Sequence, residues 1–442
     1  MHHIKPCNQT QYTITLSPDS PLIPEQPNVS LLFGVKTAEV KIEVSDSVEG
    51  SEILLSDHLI HELQIPLTCS YDILVGDHFI RIGPFIGILA ELTDKKVEQL
   101  LFTYKSFVRR YQQIGGAILV FSLESIHIEQ QTISGFLYQP EHNSWKYGTF
   151  PFPASVMTIL EASLTSKYKD FHQKINVLTS VLGPKVFNYP HFSKWEMHKL
   201  LVQKLGHVLP ETTLYQEPDD ITDMLKLYKS IYIKPINGRL GKRIFKVVQT
   251  NKHIAVYFYV NRRKQVKTFS SPKEMMSFFQ ANLVPNVYLI QQTISLMKFD
   301  DRIIDFRVMM IKNEWGIWDN LGIYSRYGAK GQLVSNITAG GQTELASDTL
   351  KTVWKLDSES TQEVLLKIDK LVREALELFE QQGYHLANIG FDIGMNENGA
   401  LYIIEINHQN PDPYIALKAN NSRAFYLARY KNMMYAKHLE GY

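Results

Sequence analysis

Residues 390–407 read GFDIGMNENGALYIIEIN, and this stretch decides how the C-terminal half of the chain folds. Its centre, residues 396–399 (NENG), has the composition of a tight turn. The runs on either side alternate between apolar and polar residues, which is the pattern of a half-buried strand. We therefore predict a β-hairpin.

The register of this hairpin predicts one polar face and one nearly apolar face. If Asp392 lies opposite Ile403, it is diagonal to Glu405, and Asn407 shares the same face. Two carboxylates this close repel each other unless a cation lies between them. All three side chains offer hard oxygen atoms, which suit Mg²⁺ bound to phosphate oxygens better than zinc. Taken alone, the hairpin is explained equally well by a solvated polar face.

A second polar feature lies upstream, where a predicted strand ends at Lys234. The residues that follow contain Gly238 and Gly241. This spacing is not that of a Walker A loop, and no Ser or Thr follows Lys242. Backbone N–H groups of a glycine-containing turn still bind phosphates, with Lys234 supplying a positive charge. A lysine before a glycine turn is by itself more often an ordinary surface feature.

The order of the polar motifs along the chain resembles the ATP-grasp fold over about residues 188–415. The motifs are Lys194 before a predicted helix, Lys234, residues 288–294 (YLIQQTI), 305–308 (DFRV) and 335–341 (SNITAGG), and the hairpin 390–407. Four shorter stretches are similar to the YheC/YheD family of endospore coat-associated ATP-grasp proteins. They are residues 83–89 (GPFIGIL), 150–153 (FPFP), 194–199 (KWEMHK) and 232–235 (YIKP).

The resemblance implies which residues bind ATP. Lys194 and Lys234 would contact its phosphates, and Asp305 would lie near the ribose. The hinge that binds adenine through its backbone would consist of Gln292, Thr293 and Ile294. Gln292 stands where the family commonly has a glutamate, so a side-chain contact to the ribose is not implied there.

The resemblance also implies the groups that act on the transferred phosphate. Arg307 and Asn336 would bind this phosphate. Asp392, Glu405 and Asn407 would hold Mg²⁺, as two ions. We further predict that the glycine-rich loop 324–343 is a lid, in which Arg326 and Lys330 gain partners only when ATP binds.

Composition and charge exclude several classes of protein. The chain has 442 residues, 44% of them hydrophobic and 21% charged, with a net charge of +1, which argues against a general nucleic-acid binder. No apolar run approaches the ~20 residues of a membrane span. Cys7 and Cys69 form neither a disulfide framework nor a thiolate zinc site. We therefore expect a cytoplasmic protein, and the resemblance implies association with the endospore coat and its proteins.

The patterns along the chain predict a multidomain α+β and α/β protein. Residues 1–92, which read as short strands with a hairpin over 71–90, form a β-rich domain, and residues 93–187 form a small α/β domain. Residues 188–442 form the ATP-grasp domain, with a nucleotide subdomain at about 210–295 and a metal-binding subdomain at about 296–415.

The leading functional hypothesis is an ATP-dependent carboxylate–amine ligase that works through an acyl phosphate. The absence of a Ser, Cys or His nucleophile arrangement agrees with it, because such an enzyme acts by positioning and charge neutralisation. One alternative is a coat-associated structural or binding protein with a regulatory or vestigial nucleotide site. Another is a small-molecule kinase. The substrates of the ligase, a carboxylate and an amine, have no recognisable motif.

Overall fold

The structure is a computed structural model that describes residues 1–160, 170–238, 243–260, 263–330, 342–409, 411 and 413–442. It contains a closed barrel followed by three open sheets, with helices packed on the sheets. This arrangement confirms the predicted multidomain α+β and α/β fold. None of the helices in these ranges is long and apolar enough to cross a membrane.

The N-terminal strands close into a barrel because the first strand pairs with both the fifth and the sixth. The strand order is β1-β5-β2-β4-β3-β7-β6. One short helix, α1 (Asp57–Leu63), follows β5. The strands are β1 (His2–Cys7), β2 (Thr13–Leu16), β3 (Asn28–Phe33), β4 (Lys36–Val44), β5 (Glu52–Ser56), β6 (Ser70–Val75) and β7 (Phe79–Gly83).

The second sheet has the order β11-β10-β9-β8-β12-β13. Its central strands β9, β8, β12 and β13 are parallel, whereas β10 and β11 are antiparallel additions. The strands are β8 (Phe85–Glu91), β9 (Ala117–His127), β10 (Thr132–Gln139), β11 (Ser144–Pro151), β12 (Ser155–Thr158) and β13 (Val186–Phe187). The helices are α2 (Asp94–Val108), α3 (Tyr111–Ile114) and α4 (Phe171–Leu182).

The boundary between barrel and second sheet differs from the predicted hairpin over residues 71–90. The hairpin consists of β6 and β7, and β8 leaves it to pair in the second sheet. Six consecutive residues of β8, from Phe85 to Ala90, are buried. Continuous burial is typical of a central parallel strand and not of a barrel hairpin. We therefore propose that the first domain ends at Gly83 and not at residue 92.

The third sheet is antiparallel, with the order β14-β19-β15-β16-β17-β18. One of its faces, which includes Ile231, Ile233 and Val247, shares a hydrophobic core with residues of α6 and α7. The strands are β14 (Thr212–Leu214), β15 (Ser230–Pro235), β16 (Phe245–Gln249), β17 (Ile254–Val260), β18 (Arg263–Phe269) and β19 (Tyr288–Gln292). The helices of this part are α5 (Lys194–Leu205), α6 (Pro218–Tyr228) and α7 (Pro272–Asn282).

The fourth sheet has the order β23-β22-β21-β24-β25, and β20 pairs with β21 beside it. Its core face, with Phe306, Val308 and Phe391, packs against a long helix. The strands are β20 (Lys298–Phe299), β21 (Arg302–Lys312), β22 (Trp318–Tyr327), β23 (Gln342–Leu345), β24 (Asn388–Met395) and β25 (Leu401–Asn407). The helices are α8 (Ala346–Thr352), α9 (Ser358–Gln381), α10 (Tyr414–Lys418) and α11 (Ser422–Leu439).

The end of α11 joins the C-terminal residues to the barrel and the second sheet through Glu440. Its carboxylate accepts hydrogen bonds from the Phe85 N–H (2.9 Å) and the Ser155 hydroxyl (2.7 Å), and its carbonyl accepts one from Arg81 (2.6 Å). Burial raises the pKa of Glu440 to about 7, although these hydrogen bonds and the charges of Lys185 and Arg81 favour ionisation.

This burial predicts a pH dependence of stability that Glu440→Gln should remove. The folded protein holds a proton on Glu440 that the unfolded chain, with its ordinary pKa of 4.5, releases. Its contribution to the free energy of unfolding is therefore greatest below about pH 4.5 and is lost as the pH rises towards about 7. Urea denaturation of the unchanged protein and of Glu440→Gln at several pH values in this range measures the free energy of unfolding. The same pH dependence in both proteins would contradict the prediction.

Candidate functional site

Lys194 connects the third and fourth sheets at the start of α5. A capping box starts this helix: Ser193 accepts from the Glu196 N–H (3.2 Å), and Glu196 accepts from the Ser193 N–H (2.7 Å). The cap fixes the position at which Lys194 leaves the helix. Its Nζ donates to the Gly238 carbonyl (2.6 Å) and lies 3.1 Å from Glu405 Oε1.

Lys234 lies near the end of β15 with its side chain buried. We call the region between Lys194, Lys234 and the carboxylates Asp392 and Glu405 the cleft. Its Nζ donates to Gln291 Oε1 (2.8 Å), and Gln291 in turn donates to the Thr212 hydroxyl (2.9 Å). The pKa of Lys234 is lowered to about 8, mainly by burial; among its charged neighbours, Glu405 and Asp392 raise the pKa and Lys194 lowers it. The Lys234 amine is therefore buried away from water, donates to the side-chain amide of Gln291, and lies near a second positive charge, that of Lys194.

Asp392 is the most heavily bonded carboxylate of the site. Arg307, directly opposite on β21, donates to both of its oxygens (2.5 and 3.1 Å). Arg326 lies 3.0 Å from Oδ2, and the Asn407 amide donates to the same oxygen (3.3 Å). Burial of Asp392 opposes ionisation, but the two guanidinium groups outweigh it and hold its pKa below the usual range.

Arg326 is bound within the sheet and not in a lid. It lies on β22 opposite Asp305, and it donates to both Asp305 oxygens at 2.6 Å. Both residues are less than 10% exposed. The prediction that Arg326 gains partners only with ATP is therefore wrong, because two buried carboxylates already bind it. Lys330 is exposed and pairs with Asp300, and residues 331–341 of the predicted lid lie outside the described residues.

The hairpin of β24 and β25 is confirmed, but its register differs from the predicted one. Asp392 lies directly opposite Glu405, because a bulge falls between Asp392 and Ile393 and shifts the pairing by one residue. Ile403 is fully buried in the core, although we predicted it opposite Asp392. A bulge brings a side chain to the other face of a strand. Here it places the two carboxylates closer together than the diagonal arrangement would.

The donor set of this hairpin fits Mg²⁺ chemically. Asp392 is ionised, Glu405 is partly exposed, and Asn407 lies beside them, so hard oxygen atoms are offered at one edge of the cleft. Among the described residues, no group of three or more His, Cys, Asp or Glu side chains is arranged as a metal site. The set therefore resembles a site completed by phosphate oxygens rather than a closed protein cage.

The predicted adenine hinge continues from β19 into a loop. The N–H of Gln292 donates to the Glu211 carbonyl (2.8 Å), and the N–H of Thr293 donates to the Ser230 carbonyl (3.1 Å). Both N–H groups therefore already donate to carbonyls of the protein. A backbone N–H of this stretch that donates to adenine would be that of Ile294. The side chain of Gln292 accepts from the Glu211 N–H (3.2 Å), which holds it beside its own strand.

Most of the predicted site residues lie around one cleft. Asp305 is linked to them through Arg326, which contacts both Asp305 and Asp392. Residues 292–294 lie at the end of β19, which pairs with β15. Asn336 and residues 239–242 of the glycine turn are outside the described residues. The residues that meet directly, or through one charged neighbour, are Lys194, Lys234, Arg307, Asp392, Glu405 and Asn407.

Three further residues shape the cleft. Gln291 and His408 were missed, and Arg326 was assigned to the lid. Gln291 holds Lys234, and Arg326 holds Asp392 and Asp305. His408 stacks on Phe192 (3.6 Å between ring centroids) and accepts the Phe192 N–H at Nε2 (3.1 Å), so it ties the end of the hairpin to the residues before Lys194. The alternating pattern of residues 318–327 was an available sign that Arg326 belongs to a strand.

Removal of the Arg326 charge should destabilise the fold strongly. Arg326→Met leaves Asp305 buried without its bidentate partner, and we expect a loss of about 3–5 kcal/mol in the free energy of unfolding. The matched control is Lys330→Met, whose exposed ion pair should cost less than about 1 kcal/mol. Urea denaturation measures both. Equal, small losses would mean that Arg326 is a mobile surface residue.

The sequence is similar to those of a known family and of two proteins from one organism. Residues 183–439 match the YheC/D-like ATP-grasp family. The endospore coat-associated protein YheD of Bacillus subtilis (strain 168) is 29% identical over 426 residues, 92% of this chain and 90% of its own. YheC of the same organism is 27% identical over 218 residues, 48% of this chain and 58% of its own.

Solved structures were also compared with the chain. D-cycloserine synthetase DcsG has a TM-score of 0.48 at 12% identity, covering 80% of this chain and 100% of its own. ATP-grasp ligase PsnB, complexed with a minimal precursor, has a TM-score of 0.45 at 15% identity, covering 80% of this chain and 100% of its own. Since the family match extends over more than half of the sequence, the chain belongs to the YheC/D-like ATP-grasp family.

Proposed function

We propose that the protein is an ATP-dependent carboxylate–amine ligase that forms ADP. The observation that supports this most is the grouping of two lysines and two carboxylates around one cleft: Lys194 is 3.1 Å from Glu405, and Lys234 is buried within range of both carboxylates. Positive groups for phosphates and hard oxygen atoms for Mg²⁺ are both needed to bind the triphosphate of ATP.

The reaction has two steps. An oxygen of the substrate carboxylate bonds to the γ-phosphorus of ATP, the bond from that phosphorus to the β–γ bridging oxygen breaks, and ADP leaves. The nitrogen of an amine then bonds to the acyl carbon, the bond to the phosphate oxygen breaks, and phosphate leaves with the amide formed. The amine gives up a proton in this second step.

The side chains of the cleft act by position and charge. Lys234, held by Gln291, and Lys194, held by the Gly238 carbonyl, would bind phosphate oxygens. Arg307 would offset negative charge on the phosphoryl group in transfer while it keeps Asp392 in place. Asp392, Glu405 and Asn407 would hold Mg²⁺, which when bound neutralises the phosphates.

Binding at this cleft requires Lys194 to change partners. Its amine now contacts a carbonyl and the Glu405 carboxylate, so phosphates would replace these contacts. The exchange releases Glu405 to face the cation. Binding of the triphosphate to Lys194 would thus free Glu405 to bind Mg²⁺.

The name of the relative YheD supports a location of the substrate in or near the endospore coat. We propose that coat or envelope material supplies the carboxylate or the amine. A coat-associated protein with a vestigial nucleotide site is the alternative. Glu405 argues against it, because this partly exposed carboxylate lies opposite Asp392 and a decayed site has no structural reason to keep it.

Glu405→Gln should abolish ATP turnover while the fold persists. Glu405 is partly exposed and its contact to Lys194 is a single ion pair, so the free energy of unfolding should change by less than about 1 kcal/mol. Glu397→Gln, an exposed change in the turn of the same hairpin, is the matched control and should keep turnover. Asp392→Asn is unsuitable because it would also break the buried pair with Arg307.

ADP release with ATP and a panel of amino acids and peptides measures this prediction. Turnover by Glu405→Gln equal to that of the unchanged protein would remove the hairpin from the reaction. Unfolding in parallel with loss of turnover would assign Glu405 a structural role only.

Affinity for Mg-ATP should fall as the pH rises through the pKa of Lys234. Since that pKa is about 8, the amine loses its charge between about pH 7 and about pH 9, and bound phosphates should draw a proton back to it. Calorimetry in buffers of different ionisation heat measures this proton uptake. Lys234→Arg, which stays charged, should show no such uptake, and equal uptake in both proteins would place the titration elsewhere.

A further inference from the structure

The outer strand of the third sheet presents an unpaired edge. In the described part of the chain, β18 pairs with β17 alone. Its first six residues, Arg263 to Thr268, are all exposed, and only Phe269 is buried. Alternate N–H and C=O groups of such a strand point away from its one neighbour, so the edge can accept a further strand.

The surroundings of this edge carry charge of one sign. Between Asp223 and Glu274 the sequence contains thirteen Lys and Arg residues and no Asp or Glu. β18 itself contributes Arg263, Lys264 and Lys267. Lysines on an edge strand prevent it from joining a neutral edge, so a segment that does pair there must neutralise them.

Aromatic rings hold several of these lysines in place. The Lys246 amine lies 5.3 Å from the Tyr232 ring centroid, and Lys264 lies 5.3 Å from that of Tyr257. Lys267 lies 4.7 Å from the Phe278 ring. A lysine packed on a ring loses less freedom when it binds an anion than one that moves freely in solvent.

The edge lies in line with the phosphate-binding lysine. Tyr232, Lys246, Tyr257 and Val266 are successive cross-strand partners from β15 to β18. Lys234 is two residues beyond Tyr232 and therefore lies on the same face. Three strand spacings span ~14 Å, so four or five extended residues reach from the edge to Lys234.

The hairpin of β17 and β18 has a cavity on the face opposite to that of Tyr257 and Val266, and an apolar side chain could bind there. Phe258, Val260, Arg263 and Gln265 line an open cavity of about 700 Å³. Phe258 and Val260 give its lining apolar surface, and Arg263 and Gln265 give it polar groups. A strand added to β18 would direct alternate side chains to the two faces, one set towards this cavity and the other towards Lys264.

We propose that the edge of β18 binds an acidic polypeptide in extended conformation, as an added strand, and that this polypeptide carries the carboxylate on which the enzyme acts. The binding of an acidic strand is supported by the exposed edge of β18 and by its positive charges. The second part rests on the proposed ligase function. A nucleic acid would meet the same charges but could not use the backbone groups of the edge.

The test uses a fluorescein-labelled dodecapeptide of alternating glutamate and valine, measured by anisotropy without nucleotide. It should bind the full-length protein, and its lysine–valine counterpart should not. The double variant Lys264→Glu and Lys267→Glu, with one substitution on each face of β18, should bind it about tenfold more weakly or worse. Lys367→Glu with Lys370→Glu, a matched exposed pair on α9, should leave the affinity unchanged.

Backbone pairing is tested with N-methylated peptides. Methylation of one alternate set of residues should abolish binding and methylation of the other set should not, since only one set faces the edge. Equal affinity of the two methylated peptides would mean that charge alone binds the peptide, which would contradict binding as an added strand. Unchanged affinity in the β18 variant, equal loss in the α9 variant, or displacement by an oligonucleotide of equal charge would each overturn the proposal.

The two parts of the proposal fail in different ways. Binding requires no ATP, so an inactive enzyme would still bind the peptide. If the peptide binds at β18 but does not increase ADP release in the presence of amines, its assignment as substrate is rejected and the docking surface stands. The ligase function itself is rejected only if no member of the panel of amino acids and peptides increases ADP release.

Discussion

The paired charges of Arg307, Asp392, Arg326 and Asp305 form the interaction on which the candidate site depends. Each carboxylate is buried and accepts hydrogen bonds from at least one guanidinium group. Charges of this kind are tolerated inside a protein only when each has its partner, and removal of one leaves the others uncompensated. The four residues lie on three adjacent strands, so their pairing also fixes how β21, β22 and β24 align.

The same cluster prepares Asp392 for its proposed role. Two guanidinium groups keep it ionised despite burial, and they hold it opposite Glu405. Lys234 on the third sheet and Lys194 at the start of α5 then lie within range of these carboxylates. The cleft therefore joins two regions of opposite charge, which a triphosphate with its cation can bridge.

Much of this cleft could be predicted because its motifs are local. The turn at residues 396–399, the capping box before Lys194 and the strand that ends near Lys234 each follow from short-range rules. The register of the hairpin could not, because a bulge breaks the alternation on which the prediction relied. Arg326 was wrongly assigned to a lid for a related reason: its strand runs into a glycine-rich loop, and its partners are distant in the sequence. The assignment of β8 to a hairpin was wrong for the same reason, because its parallel partners β9 and β12 lie further along the chain.

The central claim is that the cleft between the third and fourth sheets binds Mg-ATP. A crystal structure with Mg²⁺ and a non-hydrolysable ATP analogue tests it most directly. We expect phosphate oxygens within hydrogen-bonding distance of Lys194 and Lys234, and Mg²⁺ between those oxygens and the Asp392–Glu405 pair, with Arg326 still bound to Asp305. A nucleotide bound elsewhere, or a cleft that keeps the Lys194–Glu405 contact at saturating nucleotide, would contradict the account.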